Sequence, residues 1–208
     1  MAFKLIGICG GIGSGKSVVS RVLRLTGYEV YDCDVCARLL MESDSGIKCR
    51  IRDEISTEVT DGASVPDRRL LASIVFANEE KRRILNSIVH SEVRRDVALH
   101  GEHVRGLMFV EAAVLAESGL ADMCDAIWLV EAPLSRRQER VTQRDSCTQD
   151  AFSARVKSQK QEGELLKRYR GKTVEIYNDG LHSLLQQITH LLDGLKRGAD
   201  KGVSSNWI

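Results

Sequence analysis

The chain has 208 residues, 43% of them hydrophobic, with a formal net charge of +1 and six scattered cysteines. That length and apolar content suit one α/β domain with an insertion or a small subdomain, and the near-zero charge gives no reason to look for nucleic acid or an anionic membrane as the main partner. No segment approaches membrane-spanning length, the N-terminus enters a strand without a secretory pattern, and the cysteines do not resemble a secreted disulfide framework, so the cytoplasm is the expected location.

The first predicted strand is the apolar run Phe3 to Cys9, and a helix with apolar residues at helical spacing runs from Ser17 to Leu25. Between them, Gly10-Gly11-Ile12-Gly13-Ser14-Gly15-Lys16-Ser17 fits the phosphate-loop template G-x-x-x-x-G-K-[ST] at every fixed position. The glycines permit positive φ and let successive N–H groups approach phosphates, and the helix N-terminus adds partial positive charge. The expected nucleotide contacts therefore run from Gly11 through Val18. Lys16 is expected on the β- and γ-phosphates, with the Ser17 hydroxyl on Mg²⁺.

Gly27 stops that helix, and a second strand is predicted from Tyr28 to Asp32. Parallel strands place ligands at their carboxyl ends, so Asp32-Cys33-Asp34 should face the same crevice as the loop. A carboxylate there can accept a proton from a substrate hydroxyl or help hold hydrated Mg²⁺. The alternative reading, which does not exclude that role, is that Asp34 caps the helix predicted over Val35 to Met41. Cys33 and Cys36 form a C-x-x-C, readable as a redox pair or half a zinc site, but no second such pair occurs and two buried thiols at a strand end explain it as well.

Helices are predicted over Ile47 to Ile55, Asp67 to Phe76 and Glu79 to Leu99, forming an inserted helical wall for a substrate cleft; His90 is its one polar candidate for a substrate contact. A third strand, Gly106 to Ala112, reads as buried on both faces and carries Glu111 near its end, where an acid can hold magnesium through water. Glu117 follows. A fourth strand, Ala126 to Val130, leads through Pro133 into a helix with Arg136, Arg140 and Arg144 at i, i+4 spacing. Such a stripe either clamps phosphate as a mobile lid or is a solvated face paired with acids such as Glu139. A charged helix from Ala151 to Tyr169, a fifth strand at Val174 to Tyr177 ending at Asn178-Asp179-Gly180, and a last helix from Leu181 to Leu195 complete the pattern, with a frayed tail beyond Gly198.

In order and spacing these pieces resemble the dephospho-CoA kinase family: the glycine-rich loop, Asp32-Cys33-Asp34 with Ala37-Arg38, Arg69-Leu70, Leu85-Asn86 with His90, Glu117-Ser118-Gly119-Leu120, Arg140 with Gln143-Arg144-Asp145, and Asn178-Asp179-Gly180. The sequence departs from the family pattern at Val18, Ser91 and Ala113.

The resemblance implies a P-loop NTPase fold with a five-stranded parallel sheet. It divides the chain into a nucleotide core (1–38, 105–133 and 169–198), a helical substrate region (39–104), a lid (134–168) and a tail (199–208). It implies ATP and Mg²⁺ as cofactors, dephospho-CoA as substrate, and Asp34 as base for the ribose 3′-hydroxyl. Arg140 is the implied lid contact to the moving phosphate, with Arg144 and Asn178 on the nucleotide and Asp32, His90 and Glu117 on the acceptor. A monomer is expected. The competing readings are a nucleoside or nucleoside monophosphate kinase, and a nucleotide-binding module with no use for Asp34 or Arg140. A regulatory GTPase is disfavoured because no N-K-x-D occurs.

Overall fold

The computed structural model describes residues 3–200. The chain forms two compact units, one comprising the residues up to Val30 together with those from Arg105 onward, the other Tyr31–Val104.

In the first unit, β1 (Lys4–Cys9) feeds the glycine-rich loop and α1 (Lys16–Leu25), and the chain returns in β2 (Glu29–Asp32). Gly27, at φ +87°, takes the left-handed turn that ends α1. After the helical unit come β3 (Leu107–Glu111), β4 (Ala126–Glu131) and β5 (Thr173–Tyr177), giving a five-stranded parallel sheet in the order β2-β3-β1-β4-β5. From β1 the chain goes to the edge strand β2, comes back to β3 beside β1, and then adds β4 and β5 on the other side. Such a switch point opens a crevice at the carboxyl ends of the strands, where the loop after β1 lies.

The core explains why these segments are strands. Ile6, Ile8, Phe109, Trp128, Val130 and Ile176 are buried in one cluster with Val19 and Leu23 of α1. Runs buried on both faces need apolar side chains at consecutive positions rather than alternate ones. Phe109 packs in a tilted arrangement with its ring centroid 5.1 Å from that of Trp128 and meets Tyr28 edge-on at 5.5 Å.

The second unit is helical: α2 (Cys33–Ser43), α3 (Ser45–Glu54), α4 (Arg68–Ala77) and α5 (Glu79–Glu102). Each begins at a short polar side chain that accepts first-turn N–H groups: Asp32, Asp44, Asp67 and Asn78. Ile47, Ile51 and Ile55, spaced i, i+4, bury with Val59, Leu71 and Ile88 in a core of their own.

The first unit also holds α6 (Leu120–Met123), α7 (Leu134–Asp145), α8 (Gln149–Ser158), α9 (Lys160–Leu166), a 3-10 segment at Lys167–Lys172 and α10 (Leu184–Asp200). Three details differ from the sequence expectation. The helix expected over Ala151 to Tyr169 is broken at Gln159, whose backbone leaves helical geometry at φ −89°, ψ 1°. The last helix starts at Leu184 rather than Leu181, because the Asp179 carboxylate accepts the Leu181 and His182 N–H groups and holds a turn there. The helix expected over Val35 to Met41 starts earlier, at Cys33 directly after the strand, so Asp34 lies inside its first turn. Most of the expected frayed tail, Trp207 included, lies outside the described residues.

Candidate active site

The loop after β1 is built from backbone that side chains would spoil. Gly15 has φ +101° and a Cβ there would lie 2.0 Å from Asn178 Nδ2, while at Gly13, φ +76°, it would lie 2.5 Å from the Arg137 carbonyl. Lys16 opens α1, and its Nζ donates to the carbonyls of Gly10 (2.8 Å) and Gly11 (3.4 Å), which hold the ammonium over the loop. Ser17 and Val18 follow in the first turn, both exposed.

Two later segments brace this loop. Arg140 of α7 donates from Nη1 to the carbonyls of Gly13 and Ser14, each at 3.2 Å, and from Nη2 to the Asn178 carbonyl at 3.0 Å. Asn178, at the end of β5, donates its side-chain amide to the Ser14 carbonyl at 2.8 Å. Of the predicted arginine stripe only Arg140 is hydrogen-bonded to the loop; Arg136 pairs with Glu139, and Arg144 with Asp145 at 2.7 Å.

Sequence reasoning missed Arg137, whose Nε donates to the Ile12 carbonyl at 2.9 Å. The signal was available, because Arg137 and Arg140 stand i, i+3 on one face. Burial pulls the Arg137 guanidinium below its ordinary value despite Glu131 nearby, and burial likewise pushes the Glu131 carboxyl up against the pull of Arg137. Desolvation thus outweighs their mutual attraction, and an anion beside Arg137 would favour its charged form.

Gln159 and Glu162 carried no signal in a charged helical stretch. Gln159 Oε1 accepts the Ile12 N–H at 2.7 Å. Glu162 is 5% exposed and its two oxygens accept the N–H groups of Ala116 and Glu117, each at 2.8 Å. Burial raises the Glu162 carboxyl above its ordinary range against the opposing pull of these bonds. Glu131, Arg137, Gln159 and Glu162 line a cavity of about 260 Å³ that reaches Gly10 and Gly11.

Glu111 ends β3 opposite Ile8 in register, and Glu117 lies exposed in the loop before α6. Within the helical unit, Asp32 rather than Asp34 is the helix cap: its Oδ1 accepts the N–H of Asp34 at 3.1 Å and of Val35 at 3.0 Å. Asp34 stands exposed in the first turn of α2 and lines a cavity of about 410 Å³. Met41, Leu71 and Val75 give that cavity an apolar wall, and Arg38 and Arg68 also line it. His90 is half-buried on α5.

A glycine-rich phosphate loop at the switch point of a parallel sheet, braced by arginines from a later helix, defines a P-loop phosphotransferase. The dephospho-CoA kinase family profile matches residues 4–181. A dephospho-CoA kinase of Bacteroides fragilis is 37% identical over 194 residues, 92% of each chain. A crystal structure from Thermus thermophilus superposes with a TM-score of 0.74 at 33% identity, over 95% of this chain and 98% of that one. The dephospho-CoA kinase from Campylobacter jejuni shares the fold, with a TM-score of 0.64 at 23% identity over 94% of this chain and 98% of its own. The chain belongs to the dephospho-CoA kinase family.

Proposed function

We propose that this chain catalyses the ATP-dependent phosphorylation of dephospho-CoA on its ribose 3′-hydroxyl, giving CoA and ADP in the last step of coenzyme A synthesis. The observation that carries the reading is a complete phosphate loop, with Lys16 and Arg140 trained on its carbonyls, in a chain matched over residues 4–181 by the family.

In this reaction the acceptor oxygen bonds to the γ-phosphorus, the bond to the β,γ-bridging oxygen breaks, and the acceptor proton leaves. Little covalent work falls to the protein, so its task is positioning and charge stabilisation. Lys16 exchanges the Gly10 and Gly11 carbonyls for β- and γ-phosphate oxygens, and Arg140, with its fixed fork of donors, meets the transferring group. Arg137, short of a full counter-charge, is a third cation for the phosphates. Asn178 keeps the loop in shape, and Arg144 reaches nucleotide only by leaving Asp145. Asp34 takes the acceptor proton, and the cavity beside it receives the acceptor: its apolar wall suits an aliphatic arm and its arginines suit phosphates. Asp32, His90 and Glu117 complete the acceptor side.

Among the described residues no group of three or more His, Cys, Asp or Glu is arranged to hold a metal. Mg²⁺ carried on nucleotide phosphates needs only about one or two protein oxygens, which the Ser17 hydroxyl and the Glu111 carboxylate fit. The ion would neutralise charge on the phosphates. Residues 134–168 act as the lid. We place the protein in the cytoplasm as a monomer; no helix among the described residues is long and apolar enough to cross a membrane.

The test is ADP release coupled to an indicator reaction, measured with dephospho-CoA, nucleosides and nucleoside monophosphates in turn. Release that depends on dephospho-CoA alone is expected. A preference for a nucleoside or nucleotide acceptor would overturn the assignment.

A further inference from the structure

Cys33 and Cys36 take no part in the chemistry above, yet they flank Asp34 on the first turn of α2. Asp32 is the N-cap, so Cys33 is the first helical residue and Cys36 the fourth. This places two thiols one turn apart at a helix N-terminus, where the partial positive charge favours thiolate. Neither is in a disulfide. They differ in access, since Cys33 is 6% exposed and Cys36 is half-buried. Cys36 is hydrogen-bonded to the Tyr31 hydroxyl, which in turn donates to Asp96 at 2.5 Å.

We propose that Cys33 and Cys36 form a thiol–disulfide exchange site for small-molecule disulfides, and that closing it reversibly displaces Asp34. The Cys36 thiolate attacks the disulfide R–S–S–R, giving a mixed disulfide Cys36–S–S–R and releasing R–S⁻. The Cys33 thiolate then attacks Cys36 Sγ, forming the Cys33–Cys36 bond and releasing the second R–S⁻. Two thiols lose two protons and two electrons, and the small disulfide is reduced to two thiols.

Geometry makes the closed form consequential. On a helix surface, residues three apart hold their Cβ atoms about 5 to 6 Å apart. A disulfide needs about 3.5 to 4.5 Å. Closure must therefore draw the turn together by roughly 1 Å, and the two residues between the thiols are Asp34 and Val35. The same movement withdraws Cys36 from Tyr31 and strains the Asp32 cap. A displacement of that size at a reacting group is enough to slow turnover severely. The strain also makes the bond easy to reduce, as a regulatory disulfide requires. Burial raises the Cys36 thiol, with Asp96 and Asp32 adding to the rise and Tyr31 opposing it, so exchange is faster above neutral pH.

The consequence for activity rests on Asp34 being the base; the exchange itself does not. The full chain is incubated with oxidised glutathione at mildly alkaline pH, quenched, and digested with trypsin, which releases Leu25–Arg38 with both thiols and no other cysteine. Mass spectrometry is expected to find the internal disulfide in this peptide. Dephospho-CoA-dependent ADP release should fall about 10-fold or more in step with it and return on adding dithiothreitol. Cys33→Ser should accumulate the glutathione adduct on Cys36. Cys36→Ser, which keeps a hydroxyl for Tyr31, should melt like the wild type and keep its activity through the same treatment. No internal disulfide in the wild-type peptide overturns the exchange site, whatever the activity does. A fully formed disulfide with undiminished activity overturns its link to Asp34.

Discussion

In the proposed reaction Lys16 and Asp34 divide the chemistry between them, and one substitution at each tests the division. Losing a preorganised charge from a developing phosphoryl transition state costs about 3 to 4 kcal/mol, so Lys16→Ala should be nearly inactive yet fold normally. Asp34→Asn keeps the shape and removes the base; turnover should fall by roughly 10²-fold or more while ATP affinity stays close to wild type. The structure sharpens this test because the cap of α2 is Asp32, so a loss at Asp34 cannot be blamed on an uncapped helix. Asp32→Ala should instead lower helix stability by about 1 kcal/mol, read as a drop in melting temperature.

Helices α7 to α9 meet the phosphate loop through the side chains of Arg137, Arg140 and Gln159, and the proposed lid has to release such bonds if it moves during turnover. Gln159→Ala removes the bond to the Ile12 N–H, worth about 1 kcal/mol, and should speed amide exchange in α8 and α9 roughly fivefold with the sheet unaffected. The junction of α7 and α8 is tied by Asp145, which accepts from Arg144 and Arg155. Those two hydrogen bonds hold the Asp145 carboxyl at about 2, against an ordinary 3.8. A depressed folded value means the native state binds fewer protons, so this stabilisation is present above about pH 4 and lost as the pH falls towards about 2. Asp145→Asn should accordingly melt below wild type near neutrality, with the gap closing across that window.

Each unit of the molecule carries its own core, so a defect in one can be confined there. Ile51 is fully buried among Ile47, Ile55, Leu71 and Ile88, and Ile51→Ala leaves a cavity costing about 2 to 5 kcal/mol. Amide protection should collapse first across α2 to α5, while the amides of β1, β3 and β4 keep theirs. A single loss of protection spread evenly over both units would show that they unfold together.

The five strands, the phosphate loop and the helices of the second unit could be read from the chain alone, because their signals are local. Continuous apolar runs mark strands buried on both faces, i, i+4 isoleucines mark one helix face, and the spacing of glycine and lysine is itself the geometry a phosphate needs. The choice of cap was also local, and it went to Asp32 because α2 begins at Cys33 rather than Val35, which puts Asp34 inside the first turn. What only the tertiary structure decided lies in side chains that reach across long stretches of sequence. Arg137 and Gln159 meet Ile12, and Glu162 meets the amides of Ala116 and Glu117. A charged residue on an amphipathic helix looks the same whether it ends in water or on a buried N–H. The difference is set by where packing of the sheet and helices leaves backbone groups that must be satisfied, and periodicity along the chain does not contain that information.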